Sequence, residues 1–461
     1  MRISGEYSVN HLAPHTRRLM QRMVGSLCGM NQRVSFQLRS REDPLFCICG
    51  GELTGVHLLR DCNTRHKPKP LSYHIGGAGV FLDEAMIRVL GETAERYAQL
   101  VSEIHLQAGL HTASFNEMQS RGEYMLPSEK MQFFTAEQFT RPEFPFQSFD
   151  PDTPMDWLRV PALTGCDPIW LPAQLILVGY DVRRRSRERW LWSAVTTGTA
   201  THSDPMLALR SALLELIQID SAMGHWYGGG EAPRILLDRR TQAVEQLVNR
   251  TLNGDTYQVQ FHFLPNADLE GLSVACVISR GVGFPSFGVG MGAGTRLPEA
   301  MYKAFLEAVA LVQLAKIVRF FRVMEKVPEG MDGDTSPQCI DPNKIFDLDH
   351  NVAFYSDANS QSLLRRRFDP SICVNASELP ADMTGSPHAQ VKRLVGAFSD
   401  TGKTLVHLDL TTVDIRQMGL VTQRVWSPDL LGICLPSAPA EAHPRFQDYG
   451  GVHHDIPHPY P

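Results

Sequence analysis

The sequence of 461 residues lacks the features that place a chain in a membrane or in an oxidising compartment. No run approaches the ~18 apolar residues of a membrane-spanning helix, and the amino terminus lacks the apolar stretch of a signal peptide. The nine cysteines are odd in number and scattered, without the paired spacing that structural zinc sites prefer. We therefore expect a soluble cytoplasmic protein that has no membrane partner.

The chain also lacks an excess of positive charge. Its formal net charge is -6, with 43% hydrophobic and 20% charged residues, which is ordinary for a soluble globular protein. A protein that binds a nucleic-acid duplex usually carries a concentrated positive field. We therefore expect no nucleic-acid partner.

Two local features leave metal-binding alternatives open. Cys47-Ile48-Cys49 forms either half of a metal site or two thiols on one strand, and the strand is favoured. A group of histidines near the carboxyl terminus is a weaker candidate for metal binding: His453, His454 and His458.

The length admits about three domains or one large domain with internal repetition. We predict an amino-terminal lead-in region over residues 1–70, with a basic amphipathic helix from Arg17 to Met23 and strands near Phe36 and Ile48. A single large domain is predicted over residues 71–461. Leu175 to Asp181 and Arg189 to Thr197 resemble the strands of a hairpin. Its basic tip is interpreted as solvated, or alternatively as a contact for an acidic partner or peptide.

One phrase occurs twice in the sequence, roughly 215 residues apart. Each copy has a Gly-Ala-Gly triplet, a Glu-Ala-Met triplet, a basic residue and a glutamate at the same spacing: Gly77–Gly79, Glu84–Met86, Arg88 and Glu92, and then Gly292–Gly294, Glu299–Met301, Lys303 and Glu307. A looser copy between them consists of Gly198-Thr199-Ala200, Ala208 and Glu215. We interpret the three small-residue segments as loops, each of which opens a helix with an inward carboxylate.

The three helices each present a pair of polar side chains on one face, because positions three or four apart lie together. The pairs are Glu92 with Glu95, Glu215 with Gln218, and Lys303 with Glu307. Oxygen ligands suit magnesium beside a nucleotide, and N–H groups at helix amino termini favour phosphate. The alternative is a plain Lys303–Glu307 salt bridge and a solvated Glu92. Three carboxylates in one register favour a shared site, and no Walker-type phosphate loop is present.

These residues resemble the YcaO superfamily over about residues 70 to 461. The resemblance rests on ordered segments that match family motifs: Gly77-Ala78-Gly79 with Glu92-Thr93-Ala94-Glu95-Arg96, Thr196-Thr197-Gly198-Thr199-Ala200 with Glu215-Leu216-Ile217-Gln218-Ile219-Asp220, Lys303 with Glu307, the region from Val406 to Leu430, and a Pro457-His458-Pro459-Tyr460-Pro461 ending similar to that of azoline-forming members. The implied fold is α+β and YcaO-like, with mixed β-sheets packed by helices and internal loop-helix repetition.

The resemblance implies a cyclodehydratase that uses ATP and Mg²⁺ to convert Cys, Ser or Thr of a ribosomally made precursor peptide to thiazoline or oxazoline, through phosphorylation of the backbone amide oxygen. It assigns metal binding to Glu92, Glu95, Glu215 and Glu307. Cofactor binding falls to Thr196, Thr197, Ala200, Lys303, Gln218 and Ala78. Catalytic roles fall to Glu307, Lys303 and the carboxylate of Pro461, which a stiff proline-rich tail would deliver to the site.

Some positions depart from the family pattern. Ala78 occupies a usual lysine position, Gln218 a usual glutamate, Ile219 a usual arginine, and Ala310 a position that is often Gln or Glu. These departures motivate one alternative, a non-catalytic assembly subunit. A thioamide-forming or amidine-forming YcaO enzyme is a second alternative.

The resemblance also implies partners. No ubiquitin-activating-enzyme-like domain is evident in the chain, so we expect a separate subunit of that type, which binds the leader of the precursor peptide. A flavin-dependent dehydrogenase subunit is a further expected partner. We therefore expect a hetero-oligomer, and a dimer of this chain within it is one arrangement.

Overall fold

The computed structural model describes residues 12–26, 29–53, 74–165, 167–182, 188–252, 254, 256–325, 342–346, 348–369, 371–454 and 456–460. Its α-helices are, in chain order, α1 (Pro14–Met23), α2 (Leu82–Leu100), α3 (Ser102–Leu106), α4 (Phe115–Ser120), α5 (Ala173–Ile176), α6 (Pro205–Tyr227), α7 (Gln242–Thr251), α8 (Leu297–Glu325), α9 (Leu348–Tyr355), α10 (Gln361–Arg367), α11 (Pro387–Asp400) and α12 (Val413–Gln417).

The strands form four sheets. They are β1 (Asn31–Phe36), β2 (Cys47–Leu53), β3 (His74–Gly79), β4 (Leu110–Ala113), β5 (Met155–Val160), β6 (Ile169–Pro172), β7 (Thr199–His202), β8 (Arg234–Leu236), β9 (Tyr257–Phe263), β10 (Leu272–Arg280), β11 (Phe287–Gly294), β12 (Cys373–Asn375), β13 (Val406–Asp409) and β14 (Val421–Trp426). The sheet orders are β1-β2-β3, β4-β5-β6, β13-β14-β7 and β11-β10-β9-β8-β12. Only the β8–β12 pairing is parallel among the described strand pairs. This architecture confirms the predicted α+β class of mixed sheets packed by helices.

The amino-terminal region contains the predicted helix, α1, and the predicted strands, β1 and β2. Both strands belong to one sheet with β3, because β2 pairs with β1 on one side and β3 on the other. The domain boundary at residue 70 stays a prediction, and it falls inside the undescribed segment 54–73.

The repeated phrase forms three strand-helix units, which we call unit 1 (β3 and α2), unit 2 (β7 and α6) and unit 3 (β11 and α8). The prediction that the small residues form loops was wrong, since the triplets of units 1 and 3 lie within β3 and β11 and most of the unit 2 segment lies within β7. Each of these strands is the edge of its sheet. The helix of each unit packs against its own strand.

Steric contact explains why glycine recurs in the strands of units 1 and 3. A Cβ atom on Gly77 would lie 2.3 Å from the Ala85 carbonyl oxygen, and one on Gly292 would lie 2.3 Å from that of Ala300. Ala85 and Ala300 occupy the same position of the repeated phrase. The small residues therefore let a helix approach its strand closely, rather than shaping a loop.

The three units contact one another in a ring. The helix of unit 1, α2, contacts β7 of unit 2; α6 contacts β11 of unit 3; and α8 contacts β3 of unit 1. A hydrogen bond also joins units 3 and 1, because the Tyr302 hydroxyl on α8 donates to the Glu84 carboxylate on α2 at 2.8 Å. The corresponding faces of the three helices are thereby brought around a common centre.

Helix α6 anchors the carboxy-terminal region to this ring. It begins at Pro205, as predicted, with Asp204 accepting from the Met206 and Leu207 N–H groups. Farther along, the fully buried Asp220 pairs with Arg445 at 2.8 Å. Asp220 also accepts from the Tyr449 hydroxyl at 2.8 Å and from the Leu431 N–H at 2.9 Å. These bonds satisfy a buried charge that would otherwise be costly.

The predicted hairpin between Leu175 and Thr197 is absent from the described residues of that stretch. Ala173–Ile176 form the short helix α5, and residues 188–198 contain no strand. The arginine-rich stretch at 183–187 lies outside the described residues, so its proposed partner stays a prediction. No helix in the described ranges is both long enough and apolar enough to cross a bilayer.

We expect Gly77→Ala to lower the free energy of unfolding by about 1–3 kcal/mol, because the new methyl group overlaps backbone atoms of α2. Gly76→Ala is the matched control, since a Cβ there meets nothing within 4 Å. Urea denaturation followed by circular dichroism measures both. Equal losses in the two variants would contradict the close packing of strand and helix.

Candidate functional site

Each unit carries one glutamate that accepts a hydrogen bond from the edge strand preceding its own helix. The Gly76 N–H of β3 donates to Glu92 Oε2 at 2.9 Å, and the Met291 N–H of β11 donates to Glu307 Oε2 at 2.5 Å. In unit 2 the N–H groups of Gly198 and Thr199 donate to Glu215. The sequence separation is 16 residues in units 1 and 3, and Thr199 to Glu215 repeats it. The three glutamates therefore occupy equivalent positions in the ring.

These carboxylates are partly buried and share one electrostatic field. Burial, together with the neighbouring charges of Glu215 and Glu92, raises the pKa of Glu307 to about 8, against the lowering effect of the Met291 hydrogen bond. Burial likewise raises the pKa of Glu215 to about 7. Since glutamates from all three helices influence one another, the folding brings the predicted carboxylates together.

A fourth carboxylate and two arginines complete this field. Burial, with the charges of Glu215 and Glu92, raises the pKa of Glu95 well above its ordinary value, while Arg96 and Arg424 lower it. Arg424 lies on β14 and is 2% exposed. Burial lowers its pKa to about 10, whereas Glu215 and Glu95 act to raise it. The two guanidinium groups offset only part of the negative charge of the four carboxylates. An additional cation would therefore stabilise their ionised forms.

Arg424 also shapes the segment that leads into β7. Its guanidinium donates to the Thr197 carbonyl at 3.3 Å, to Thr199 Oγ1 at 2.8 Å and to the Val195 carbonyl at 2.9 Å. Gly198 in this segment has a φ of 78°, and a Cβ there would lie 2.4 Å from the Val425 carbonyl oxygen. Glycine is therefore required where the backbone turns its N–H groups toward Glu215.

The predicted cofactor residues of unit 2 lie beside Glu215. Thr196 is held through its carbonyl, which accepts from Gln99 on α2 at 3.1 Å. Thr197 and Ala200 are buried, and so is Gln218, which takes the place of Glu95 in unit 2. Unit 2 therefore has a neutral amide where unit 1 has its second carboxylate.

The basic residue of the repeated phrase has a local partner in both copies. Arg88 pairs with Glu84 at 3.1 Å, and Lys303 pairs with Glu299 at 3.2 Å, each four residues apart on a helix. Lys303 Nζ also donates to the Ala293 carbonyl at 3.0 Å. The ion-pair partner of Lys303 is therefore Glu299 rather than the Glu307 considered from the sequence. Its catalytic and nucleotide-binding roles stay predictions.

The structure describes Ala78 but not Pro461. Ala78 is buried in β3 within the apolar cluster that contains Phe46 and Phe305, so its methyl group faces hydrocarbon. Pro461 lies outside the described residues, although the preceding Tyr460 is fully buried. A nucleotide contact of Ala78 and a catalytic role of Pro461 both stay predictions.

The alternative metal sites are not assembled in the described part of the chain. Cys47 and Cys49 lie on β2, as the strand interpretation predicted. His453 Nε2 bonds to the Gly450 carbonyl at 2.8 Å, whereas the buried His458 bonds to the Cys434 carbonyl at 3.0 Å. Each ring therefore has its own backbone partner.

The four glutamates fit a hard divalent cation by donor type. All offer carboxylate oxygens, which Mg²⁺ prefers. Burial raises the pKa values of Glu95, Glu215 and Glu307, so a cation nearby would stabilise their ionised forms. Across the described residues, however, no three His, Cys, Asp or Glu side chains already form a metal-binding group. In each unit one glutamate accepts a hydrogen bond from the backbone of its own strand segment, so the strands hold the carboxylates in place while they influence one another electrostatically.

Two contributors to the site were missed by sequence reasoning. Arg424 stands in a strand otherwise made of Val, Thr, Gln and Trp, and a buried arginine needs an anionic neighbour, but the sequence does not say which. Gln99 follows Glu95 by one helical turn and carries no motif. Both are recognisable only once β14 and α2 are placed beside β7.

Comparison with protein families gives one match over most of the chain. A family model described as YcaO cyclodehydratase, ATP- and Mg²⁺-binding, matches residues 76–431. The predicted family is thereby confirmed, together with ATP and Mg²⁺ as its cofactors. No curated protein matches the chain.

Several solved structures share the fold. A heterocyclase in complex with substrate and cofactor aligns with a TM-score of 0.67 at 16% identity over 99% of this chain and 58% of its own. YcaO from Methanopyrus kandleri, bound with AMPPCP and Mg²⁺, gives 0.57 at 14% identity over 87% of this chain and 86% of its own. The E. coli microcin synthetase McbBCD complex with pro-MccB17 bound gives 0.57 at 13% identity over 93% and 96%. This chain thus spans just over half of the first and nearly all of the third.

We expect the stability of the cation-free protein to fall as pH rises from about 5 to 8.5. Glu307 has a pKa of about 8 when folded and an ordinary value of 4.5, so the folded state keeps a proton that the unfolded chain loses in this range. Glu307→Gln should make this decrease in stability smaller. The part removed is the contribution of Glu307, about 1.4 kcal/mol of unfolding free energy for each unit by which its pKa is raised. Urea midpoints measured in chelator across the pH range provide the test.

The exposed Glu129→Gln is the control for that experiment. It should leave the pH dependence as in the unsubstituted chain. Identical slopes for Glu307→Gln and the unsubstituted chain would show that Glu307 does not retain a proton in the folded state.

Proposed function

The chain belongs to the YcaO family of ATP- and Mg²⁺-binding cyclodehydratases, and on this premise we propose that it is the azoline-forming subunit of a peptide-modifying complex. Its substrate would be a ribosomally made precursor peptide, in which Cys, Ser or Thr becomes thiazoline or oxazoline. The observation that carries the proposal is the equivalent placement of Glu92, Glu215 and Glu307, each on its own helix and in one shared electrostatic field.

We assign Mg²⁺ binding to the four carboxylates that share this field: Glu92, Glu95, Glu215 and Glu307. Their asymmetric distribution suits a metal beside a triphosphate, since unit 2 has an amide at the second position. Nucleotide contacts are assigned to the residues around β7 and the neighbouring units: Thr196, Thr197, Ala200, Gln218, Ala78 and Lys303. Arg96 and Arg424 hold the carboxylates in place through charge.

When bound, Mg-ATP supplies the phosphoryl group that converts the amide oxygen of the substrate into a leaving group. The protein's task is then to position the attacking side chain of the substrate, exclude water and accommodate charge. A carboxylate that carries a proton at neutral pH, such as Glu307, can release it when a cation binds. The tail places Tyr460 in the interior, which supports delivery of the Pro461 carboxylate as a proton acceptor or orienting group.

The proposed partners follow from the same premise. The E. coli relative is a McbBCD complex with pro-MccB17 bound, which supports a peptide substrate and a multisubunit enzyme here. We propose a ubiquitin-activating-enzyme-like subunit that binds the leader, and a flavin-dependent dehydrogenase that oxidises azolines. This chain would therefore act within a hetero-oligomer.

A non-catalytic assembly role is the second candidate. It is favoured by the placement of Ala78 and Ile219 in apolar clusters, at positions where the family usually has cations. A thioamide-forming or amidine-forming enzyme is a further alternative within the family. Binding of Mg-ATP separates an enzyme from a scaffold, and product mass separates the three chemistries.

We expect the chain, its partner subunits, a candidate precursor peptide and Mg-ATP to release phosphate and to remove the mass of one water per ring. Mass spectrometry and a phosphate assay measure the two products together. Glu215→Ala should abolish both, whereas Glu129→Ala should not. No mass loss with every neighbouring gene product supplied would refute the azoline assignment, and a different mass change would favour an alternative chemistry.

Deletion of Pro459 to Pro461 should reduce kcat for ring formation by about tenfold or more, since the positioned carboxylate is lost. The KM for Mg-ATP should change little, because the four carboxylates remain. His453→Ala, at an exposed position of the same terminal region, is the control. Ring formation that survives the deletion undiminished would exclude the role of Pro461.

A further inference from the structure

The terminal segment from Ile456 to Tyr460 lies inside the protein, against the ends of α6 and α9. His458 and Tyr460 are both fully buried. Prolines alternate with these residues, and proline has no backbone N–H. Pro457 to Pro459 therefore offers one amide donor, at His458, and the segment cannot be held by an ordinary strand pairing.

Side chains of the two helices bind the backbone of this segment instead. The Tyr227 hydroxyl accepts from the His458 N–H at 3.1 Å and donates to the Pro436 carbonyl at 2.9 Å. Trp226 Nε1 donates to the Ile456 carbonyl at 2.8 Å. Two further donors complete the set, because Asn351 Nδ2 donates to the Tyr460 carbonyl at 3.0 Å and the Tyr355 hydroxyl donates to the Pro457 carbonyl.

The two side chains of the segment occupy different surroundings. The His458 ring donates to the Cys434 carbonyl at 3.0 Å. The Tyr460 hydroxyl lies 3.4 Å from His225 Nδ1, and the other nitrogen of His225 donates to the Arg367 carbonyl at 2.8 Å. Since burial lowers the pKa of His225 to about 3, its ring is neutral and Nδ1 accepts from Tyr460. A slip by two residues would place either the imidazole of His458 where the phenol of Tyr460 lies, or the phenol where the imidazole lies.

We propose that the ends of α6 and α9 form a binding slot for an X-Pro-His-Pro-Tyr peptide, that this slot takes the segment from solution when the chain lacks it, and that Tyr227 sets its register. Tyr227 is a positioning residue because it bonds the one amide between the two prolines. The use of the slot in ring formation rests on the proposed function, whereas peptide binding does not. Alternating prolines keep the peptide extended, which lowers the entropy lost on binding.

The test uses the chain without residues 456–461 and a fluorescein-labelled peptide with the sequence of those residues. Fluorescence anisotropy should show saturable binding. A peptide methylated at the backbone nitrogen that corresponds to His458 should have an affinity lower by about tenfold or more, because its buried hydrogen bond to the Tyr227 hydroxyl is lost. In Tyr227→Phe the two peptides should bind alike, while Tyr449→Phe, at a buried tyrosine bonded to Asp220, should keep the difference.

The full chain provides a second measurement that does not depend on folding of the shortened chain. Hydrogen exchange followed by mass spectrometry reports the His458 and Tyr460 amides in a terminal peptide. Tyr227→Phe should speed their exchange by about tenfold or more relative to Tyr449→Phe. Unchanged exchange would overturn the assignment of Tyr227.

The outcomes separate the slot from the proposed function. Absence of peptide binding by a shortened chain that still unfolds cooperatively would overturn the slot. Equal loss of affinity on methylation in the Tyr227→Phe and unsubstituted chains would overturn its register role. Peptide binding without recovery of ring formation would leave the slot established and refute the catalytic use of the tail.

Discussion

Buried carboxylates that lie near one another are costly unless positive charge balances them, and this constraint governs the centre of the molecule. Burial raises the pKa values of Glu95, Glu215 and Glu307, and neighbouring carboxylates add to the rise at Glu95 and Glu307. Arg96 and Arg424 offset part of this charge. The negative charge that the arginines leave uncompensated is the physical reason to place a divalent cation among the three units.

The same constraint explains why the three units share a register. An edge strand has backbone N–H groups without a strand partner. A carboxylate that accepts hydrogen bonds from these groups satisfies both the N–H donors and its own oxygen atoms. Repeating this bond in β3, β7 and β11 fixes each glutamate relative to its strand. The ring of contacts between helices and strands then sets the glutamates relative to one another.

Helix α6 connects this centre to the rest of the chain. Glu215 near its middle belongs to the shared field, Asp220 holds Arg445 in a buried pair, and Tyr227 at its end binds the terminal segment. Because one rigid helix carries all three contacts, the carboxylates and the tail have a defined spatial relation. A change in the Asp220 pair is therefore expected to disturb both ends.

The sequence predicted the features that depend on local spacing. The common register of Glu92, Glu215 and Glu307 follows from helical periodicity, and the start of α6 follows from the capping chemistry of Asp204 and Pro205. The strand state of Gly77 and Gly292 was missed because glycine is locally typical of loops. Pairing with β2 and β10, whose residues are elsewhere in the sequence, imposes that state.

Other features depend on contacts between distant parts of the chain. Arg424 reaches Thr197 and Thr199 across more than 200 residues, and no local pattern indicates that approach. Lys303 has a glutamate four residues away on each side. Glu307 was considered as its partner from the sequence, whereas the structure pairs it with Glu299. The departures at Ala78 and Ile219 were visible in the sequence, whereas their apolar surroundings were not.

The central claim, that a cation joins the carboxylates of the three units, is tested most directly by counting protons. Calorimetric titration with Mg²⁺ and a non-hydrolysable ATP analogue at pH 7.5, in buffers of different ionisation enthalpy, measures the protons released on binding. We expect about one proton to leave the protein, and Glu307→Gln to reduce that number. Tight binding with the same proton count in both proteins would contradict the claim.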